Sequence, residues 1–173
     1  MELESMNTLL FTNLQLLGMD ILAMEGKYHV PFNKEMFTLP NKAGSEAVFH
    51  FLFNRLNPGL FKEQFRDCWP VLDRKAELQF RKICHTWLTS IQADDPDAHL
   101  PRINASLLLS PGGRKFVHLL YRFSTYVLTK TMTKEHVTVH SSCRLKKFGV
   151  GWGKPIGGVH RYTSFPGPAF TDC

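Results

Sequence analysis

The chain has 173 residues, of which 43% are hydrophobic and 21% charged, enough for one core and too few for two comfortable domains. Fourteen Phe and three Trp exclude a chain that is disordered throughout, and the longest apolar runs are too short to span a membrane. The net charge of +6 is uneven, because residues 1–129 hold 14 basic and 13 acidic residues whereas residues 130–173 hold seven and two.

Three helices are predicted in the first 70 residues by apolar side chains three and four positions apart, over residues 5–18, 45–56 and 60–69. Asn57, Pro58 and Gly59 end the second of them, and Pro70 ends the third. No segment alternates apolar and polar residues for long enough to predict a sheet.

The clearest helix is predicted over residues 73–92, with Asp73 as its N-cap and Pro96 in the loop that follows it. Its apolar stripe is centred near Trp87 and contains Ala76, Phe80, Ile83, Cys84, Trp87 and Ile91. We expect the core to be held by aromatic residues from three such stripes, namely Phe51, Phe80, Trp87, Phe116 and Phe123.

A second strong helix is predicted to begin with Ser110 as its cap and Pro111 at its first position, and to reach Thr131. A short helix is expected before it, within residues 101–109. The fold class is therefore all-α over residues 1–131. Residues 132–173 lose the periodicity and become rich in Gly and Pro, so we expect a flexible basic tail there.

Patterns that would indicate catalysis or a bound cofactor are incomplete. Gly149 to Pro155 lacks two residues of a phosphate-binding loop, and His136, His140 and Cys143 have no fourth ligand at a matching interval. We expect no metal, no cofactor and no enzymatic activity. The cysteines are expected to be reduced thiols, because the N-terminus carries acidic residues instead of the basic ones of a secretory signal.

The outward side of helix 73–92 is predicted to be basic, with an apolar side chain, Leu78, among its cations. Two interpretations remain open: an ordinary solvated helix surface, or a contact site for an acidic partner. The candidate contact residues are Arg74, Lys75, Leu78, Arg81 and Lys82.

Several short segments occur in an order that resembles one known family. They include residues 51–56, the turn Cys68, Trp69 and Pro70, the helix residues Asp73, Phe80 and Trp87, and the run Ser110, Pro111, Gly112 and Gly113 before Phe116. Together they resemble the N-terminal domain of the HAUS augmin-like complex subunit 6 family, over about residues 8–131.

The resemblance implies a calponin-homology-like domain that works without catalysis in the augmin complex. It implies binding to spindle microtubules and to other augmin subunits, especially one with a similar helical domain, and a location in the cytoplasm and cytoskeleton, at the mitotic spindle and centrosome. Recruitment of the γ-tubulin ring complex would pass through a region absent from this sequence. The lack of the family's long coiled coils after residue 131 suggests a shortened form.

The alternative from another class is a basic nucleic-acid-binding protein that uses residues 144–161 as an arm. The near-neutral charge of residues 1–129 disfavours it, because an electrostatic footprint would then be confined to the tail.

Overall fold

The computed structural model describes the backbone of residues 2–145 and the side chains of residues 2–134. Within those ranges the chain forms helices and loops with no strand, which confirms the all-α prediction. The helices are α1 (Leu3–Leu16), α2 (Ile21–Tyr28), α3 (Lys42–Leu56), α4 (Pro58–Phe65), α5 (Arg74–Asp94), a 3₁₀ turn (Pro96–Ala98), α6 (Ala105–Leu109) and α7 (Gly113–Leu145). None of the described helices is long and apolar enough to cross a membrane.

Helix α7 forms the centre of the fold, and both α1 and α3 pack along it. Phe116 and Phe123 of α7 are fully buried. Asn13, which interrupts the apolar stripe of α1, donates hydrogen bonds to the hydroxyls of Ser124 and Thr125 on α7, each at 3.0 Å. The polar residue therefore fixes the register of two helices that are far apart in sequence.

An aromatic cluster fills the space between α3, α4, α5 and α7. Phe53 lies at its middle, with its ring centroid 4.6 Å from that of Trp87 and 4.9 Å from that of Phe123. Phe65 packs against Phe53 and, at 5.1 Å, against Phe80. Edge-to-face and offset contacts of this kind add specific geometry to the apolar burial.

The predicted core list is right for Phe80, Phe116 and Phe123, which are all buried. It is wrong for Phe51, which is only partly buried because α3 is rotated so that its neighbours point inward. The fully buried α3 aromatics are Phe49 and Phe53. Trp87 is also only partly buried, and it packs against the core.

Both predicted boundaries of α7 are wrong, and α4 runs over Pro58–Phe65 instead of residues 60–69. Helix α7 continues to Leu145 instead of ending near Thr131, so residues 132–145 are helical. It also begins at Gly113 and not at Ser110 and Pro111. The rest of the predicted flexible tail, residues 146–173, lies outside the described residues, as does the Gly149 to Pro155 motif.

The segment expected to cap α7 is instead held by the loop before α3. The backbone N–H of Gly113 donates to the carbonyl of Phe37 at 2.7 Å, and the N–H of Asn41 donates to the carbonyl of Pro111 at 2.9 Å. Gly112 lies so close to this loop that a Cβ atom there would be 2.7 Å from the carbonyl carbon of Leu39. Gly113 has a φ of 73°, a conformation that glycine adopts without strain.

Candidate interaction surface

Helix α5 carries all of the candidate contact residues that the sequence predicts. It begins after Asp73, whose carboxylate accepts a hydrogen bond from the backbone N–H of Ala76 at 2.7 Å, so the predicted N-cap is confirmed. Its buried residues are Phe80, Cys84, Leu88 and Ile91. The inward stripe is therefore centred near Cys84 and Leu88 and not near Trp87.

This rotation changes the predicted basic face. Three of its residues are exposed as expected, namely Arg74, Lys75 and Lys82. Leu78 lies between them and is 56% exposed. Arg81 is not on the outward side, because the rotation brings it to the edge of the core, where it is only partly exposed.

Four of the five candidate contact residues lie together on one exposed side of α5. Arg74, Lys75, Leu78 and Lys82 line an open groove of about 850 Å³ between α4 and α5, which we call the α4–α5 groove. Its remaining lining residues are Gln64, Gln79, Ile83 and Thr86, so none of them carries a negative charge.

Arg81 instead belongs to an ion-pair network between α3 and α5. Its Nη1 atom lies 3.8 Å from Oε1 of Glu77, and Nζ of Lys42 donates to the same oxygen at 2.9 Å. The hydrogen bond from Lys42 lowers the pKa of Glu77, while burial and then the charge of Glu77 raise the pKa of Glu46. Sequence spacing gave no signal for this network, because Lys42 and Glu77 are joined only by the packing of α3 on α5.

A third surface feature lies between α5 and α6. Leu78 and Leu109 form its apolar walls, and Arg81, Lys82 and His85 lie beside them. We call this groove of about 570 Å³ the α5–α6 groove. Leu109 is 54% exposed, and its position beside α5 could not be predicted, because in the sequence it is only one of three successive leucines.

The turn formed by Cys68, Trp69 and Pro70 is structural in its contacts. Cys68 is buried, Trp69 is partly buried and stacks on His50 with a centroid separation of 4.0 Å, and Pro70 is exposed. Cys68 and Cys84 are both free thiols, and burial raises the pKa of each. A thiol held neutral in this way is a poor nucleophile. Cys84 packs in the core, whereas its neighbour His85 lines the α5–α6 groove.

The described residues contain no group of three or more His, Cys, Asp or Glu side chains placed to hold a metal ion. The C-terminal part of α7 contains His136, His140 and Cys143. Their side chains lie outside the part of the chain that the structure describes.

These features define a small helical domain whose exposed surface offers basic and apolar grooves suited to contacts with other macromolecules. Comparison with known proteins then identifies its family: the model of "HAUS augmin-like complex subunit 6 N-terminus" matches residues 10–148. The chain belongs to this family. The match passes the boundary expected at residue 131 and includes the whole of α7.

Two relatives agree with this assignment. HAUS augmin-like complex subunit 6 from Danio rerio is 41% identical over 104 residues, which cover 60% of this chain and 13% of that protein. The protein of the same name from Homo sapiens is 38% identical over 102 residues, which cover 59% of this chain and 11% of that protein. The chain thus matches a small part of the length of each relative.

Proposed function

We propose that this domain is a non-catalytic part of an augmin complex and that it contacts spindle microtubules through the basic side of α5. The family supports the first part of the proposal, because its members are named as subunits of an augmin-like complex. The second part is supported by the surface of α5. Microtubules, which the resemblance implies as the partner, present an acidic outer surface.

The observation that carries the microtubule contact is the composition of the α4–α5 groove. Three exposed cations, Arg74, Lys75 and Lys82, surround the exposed side chain of Leu78, and no carboxylate lines the groove. A single exposed ion pair contributes little, about 0–1 kcal/mol, so the contact depends on the cluster. Leu78 would add apolar burial, which salt does not screen.

Arg81 has a different role in this proposal. Because it is paired with Glu77, it contributes less net positive charge to a partner than the three exposed cations do. We infer that Arg81 orients the surface and that Arg74, Lys75 and Lys82 bind.

Further partners follow from the family. We propose that the domain contacts other augmin subunits, especially one with a similar helical domain, and that it is located at the mitotic spindle and centrosome in the cytoplasm. The γ-tubulin ring complex would be reached through a region outside this sequence. The calponin-homology-like character of the fold belongs to the same proposal.

The test is co-sedimentation of the 173-residue chain with microtubules at low salt. The triple variant Arg74→Glu, Lys75→Glu, Lys82→Glu is compared with a matched triple variant at exposed positions elsewhere, Lys34→Glu, Arg55→Glu, Arg102→Glu. Both change the net charge equally, so only the first should weaken binding by about tenfold or more. Equal loss in the two variants, or no loss in the first, would contradict a specific contact at α5.

A further inference from the structure

The α5–α6 groove differs from the rest of the basic surface in having an apolar interior. Leu78 and Leu109 are both more than half exposed, although leucine is an unfavourable residue to leave in water. Buried Leu108 closes the groove between them. Leu109 ends a helix of five residues and is therefore held at a fixed position opposite α5.

The polar residues around this apolar interior include basic side chains and no acidic ones. Arg81 and Lys82 lie on the α5 side with His85 one turn further along the helix, and no Asp or Glu is among the lining residues. A site built in this way suits an apolar side chain that is flanked by carboxylates. It does not suit a basic segment, because like charges brought together in an interface are unfavourable.

We propose that the α5–α6 groove is a docking site for an acidic amphipathic segment of a partner protein. One or two apolar side chains of that segment would lie between Leu78 and Leu109, and its carboxylates would face Lys82. Charge complementarity favours this occupant over a second copy of the chain, because in a symmetric pair the basic residues of the two grooves would face each other.

The inference does not depend on whether the α4–α5 groove binds microtubules. The two sites share Leu78 and Lys82, but Leu109 lines only the α5–α6 groove of these two. Substitution of Leu109 therefore separates them: it should remove binding of the acidic segment and leave microtubule co-sedimentation unchanged.

The experiment is a selection of random 16-residue peptides against the intact 173-residue chain, followed by binding measurements on the enriched peptides. We expect the enriched sequences to combine Leu, Ile, Phe or Trp with Asp and Glu, and to bind at least about tenfold more weakly to Leu109→Asp. Lys82→Glu should also weaken them. Leu22→Asp is the matched control, because Leu22 is a 79% exposed leucine on α2, remote in sequence from the groove.

Thermal unfolding of each variant is measured alongside, and we expect the substitutions at these exposed leucines to leave the domain folded. Enriched peptides without acidic residues, peptides that bind Leu109→Asp as well as the parent, or no enriched peptide at all would each overturn the proposal. A dimer of the chain that Leu109→Asp dissociates in sedimentation velocity would overturn it in favour of self-association.

Discussion

The imidazole of His50 lies nearly parallel to the indole of Trp69, with the ring centroids 4.0 Å apart and the planes inclined by 29°. Phe61 meets the same imidazole edge-on at 4.7 Å. The α3 helix therefore places a titratable ring between two aromatic side chains. Burial, assisted by the charge of Lys27, lowers the pKa of His50 to about 4.

This arrangement predicts a loss of stability in mild acid. Unfolded His50 takes up a proton near its ordinary pKa of about 6.5, whereas the folded residue does so only near pH 4, so the unfolded state binds more protons between these values. The melting temperature should fall as the pH decreases from about 7 to 4.5. In His50→Phe, which keeps a flat neutral ring, the fall should be smaller.

The control for this measurement is His99→Asn at an exposed position in a left-handed backbone conformation, which Asn tolerates. Its pH dependence should match that of the parent. Burial also lowers the pKa of His118, so some acid sensitivity should remain in His50→Phe. A pH profile of His50→Phe identical to the parent's would show that His50 does not contribute.

Phe51 and Phe53 provide a matched test of the core, because they are the same residue type on one helix and differ in burial. Phe53→Ala should cost about 3–5 kcal/mol in free energy of unfolding, since the side chain is fully buried beside Trp87 and Phe123. Phe51→Ala should cost clearly less, and Trp87→Ala should fall between the two. Chemical denaturation measures all three, and equal costs for Phe51 and Phe53 would contradict the described orientation of α3.

Gly112 should not tolerate a methyl group. In Gly112→Ala the new Cβ would lie 2.7 Å from both the carbonyl carbon of Leu39 and the nitrogen of Pro40, and neither is a flexible side chain that can move aside. We expect a destabilisation of about 1–3 kcal/mol. Gly26→Ala is the control, because nothing lies within 4 Å of its added Cβ and alanine favours the helix. Calorimetry should show a lower melting temperature for the first variant only.

Glu46 and Glu77 should respond to neutralisation in opposite directions. Glu46→Gln is expected to raise the free energy of unfolding at pH 7 by less than about 1 kcal/mol, because burial and the charge of Glu77 disfavour its ionised form. The gain should vanish below the ordinary pKa of a glutamate, where Glu46 is protonated in both states. Glu77→Gln should instead lower stability at pH 7, since it removes the negative charge that pairs with Lys42 and Arg81. A loss in both variants would contradict the raised pKa of Glu46.

Local signals were sufficient to predict α5, because a long apolar period and the Asp73 cap agree there. They failed for α2, which has eight residues and no fully buried side chain, so no apolar stripe marks it. They also misplaced the start of α7. Ser110 and Pro111 are typical of a helix start, but Pro111 and Gly113 bond to the loop before α3, a contact between segments about 70 residues apart.

The part of the candidate surface that lies on one helix could be predicted, and the part contributed by other helices could not. Periodicity identified Arg74, Lys75, Leu78 and Lys82 as neighbours on one exposed face, and the structure places them around one groove. It could not identify Lys42 or Leu109, because each reaches α5 only through the packing of another helix. Arg81 was wrongly predicted to lie on the outward side of α5. Trp87 and Leu88 are both apolar and point in directions about 100° apart, so the sequence did not decide which of them is at the centre of the inward stripe.

The packing of α1 on α7 has a consequence for biosynthesis. The inward residues of α1, Met6, Leu10 and Leu14, are completed by a helix that begins about 100 residues later, and Asn13 finds its two hydroxyl partners still further along. At a translation rate of about 5–20 residues per second, α1 waits roughly 5–20 s for that partner to be synthesised. During this interval the apolar side of α1 lacks its native cover and is open to transient contacts until α7 leaves the ribosome.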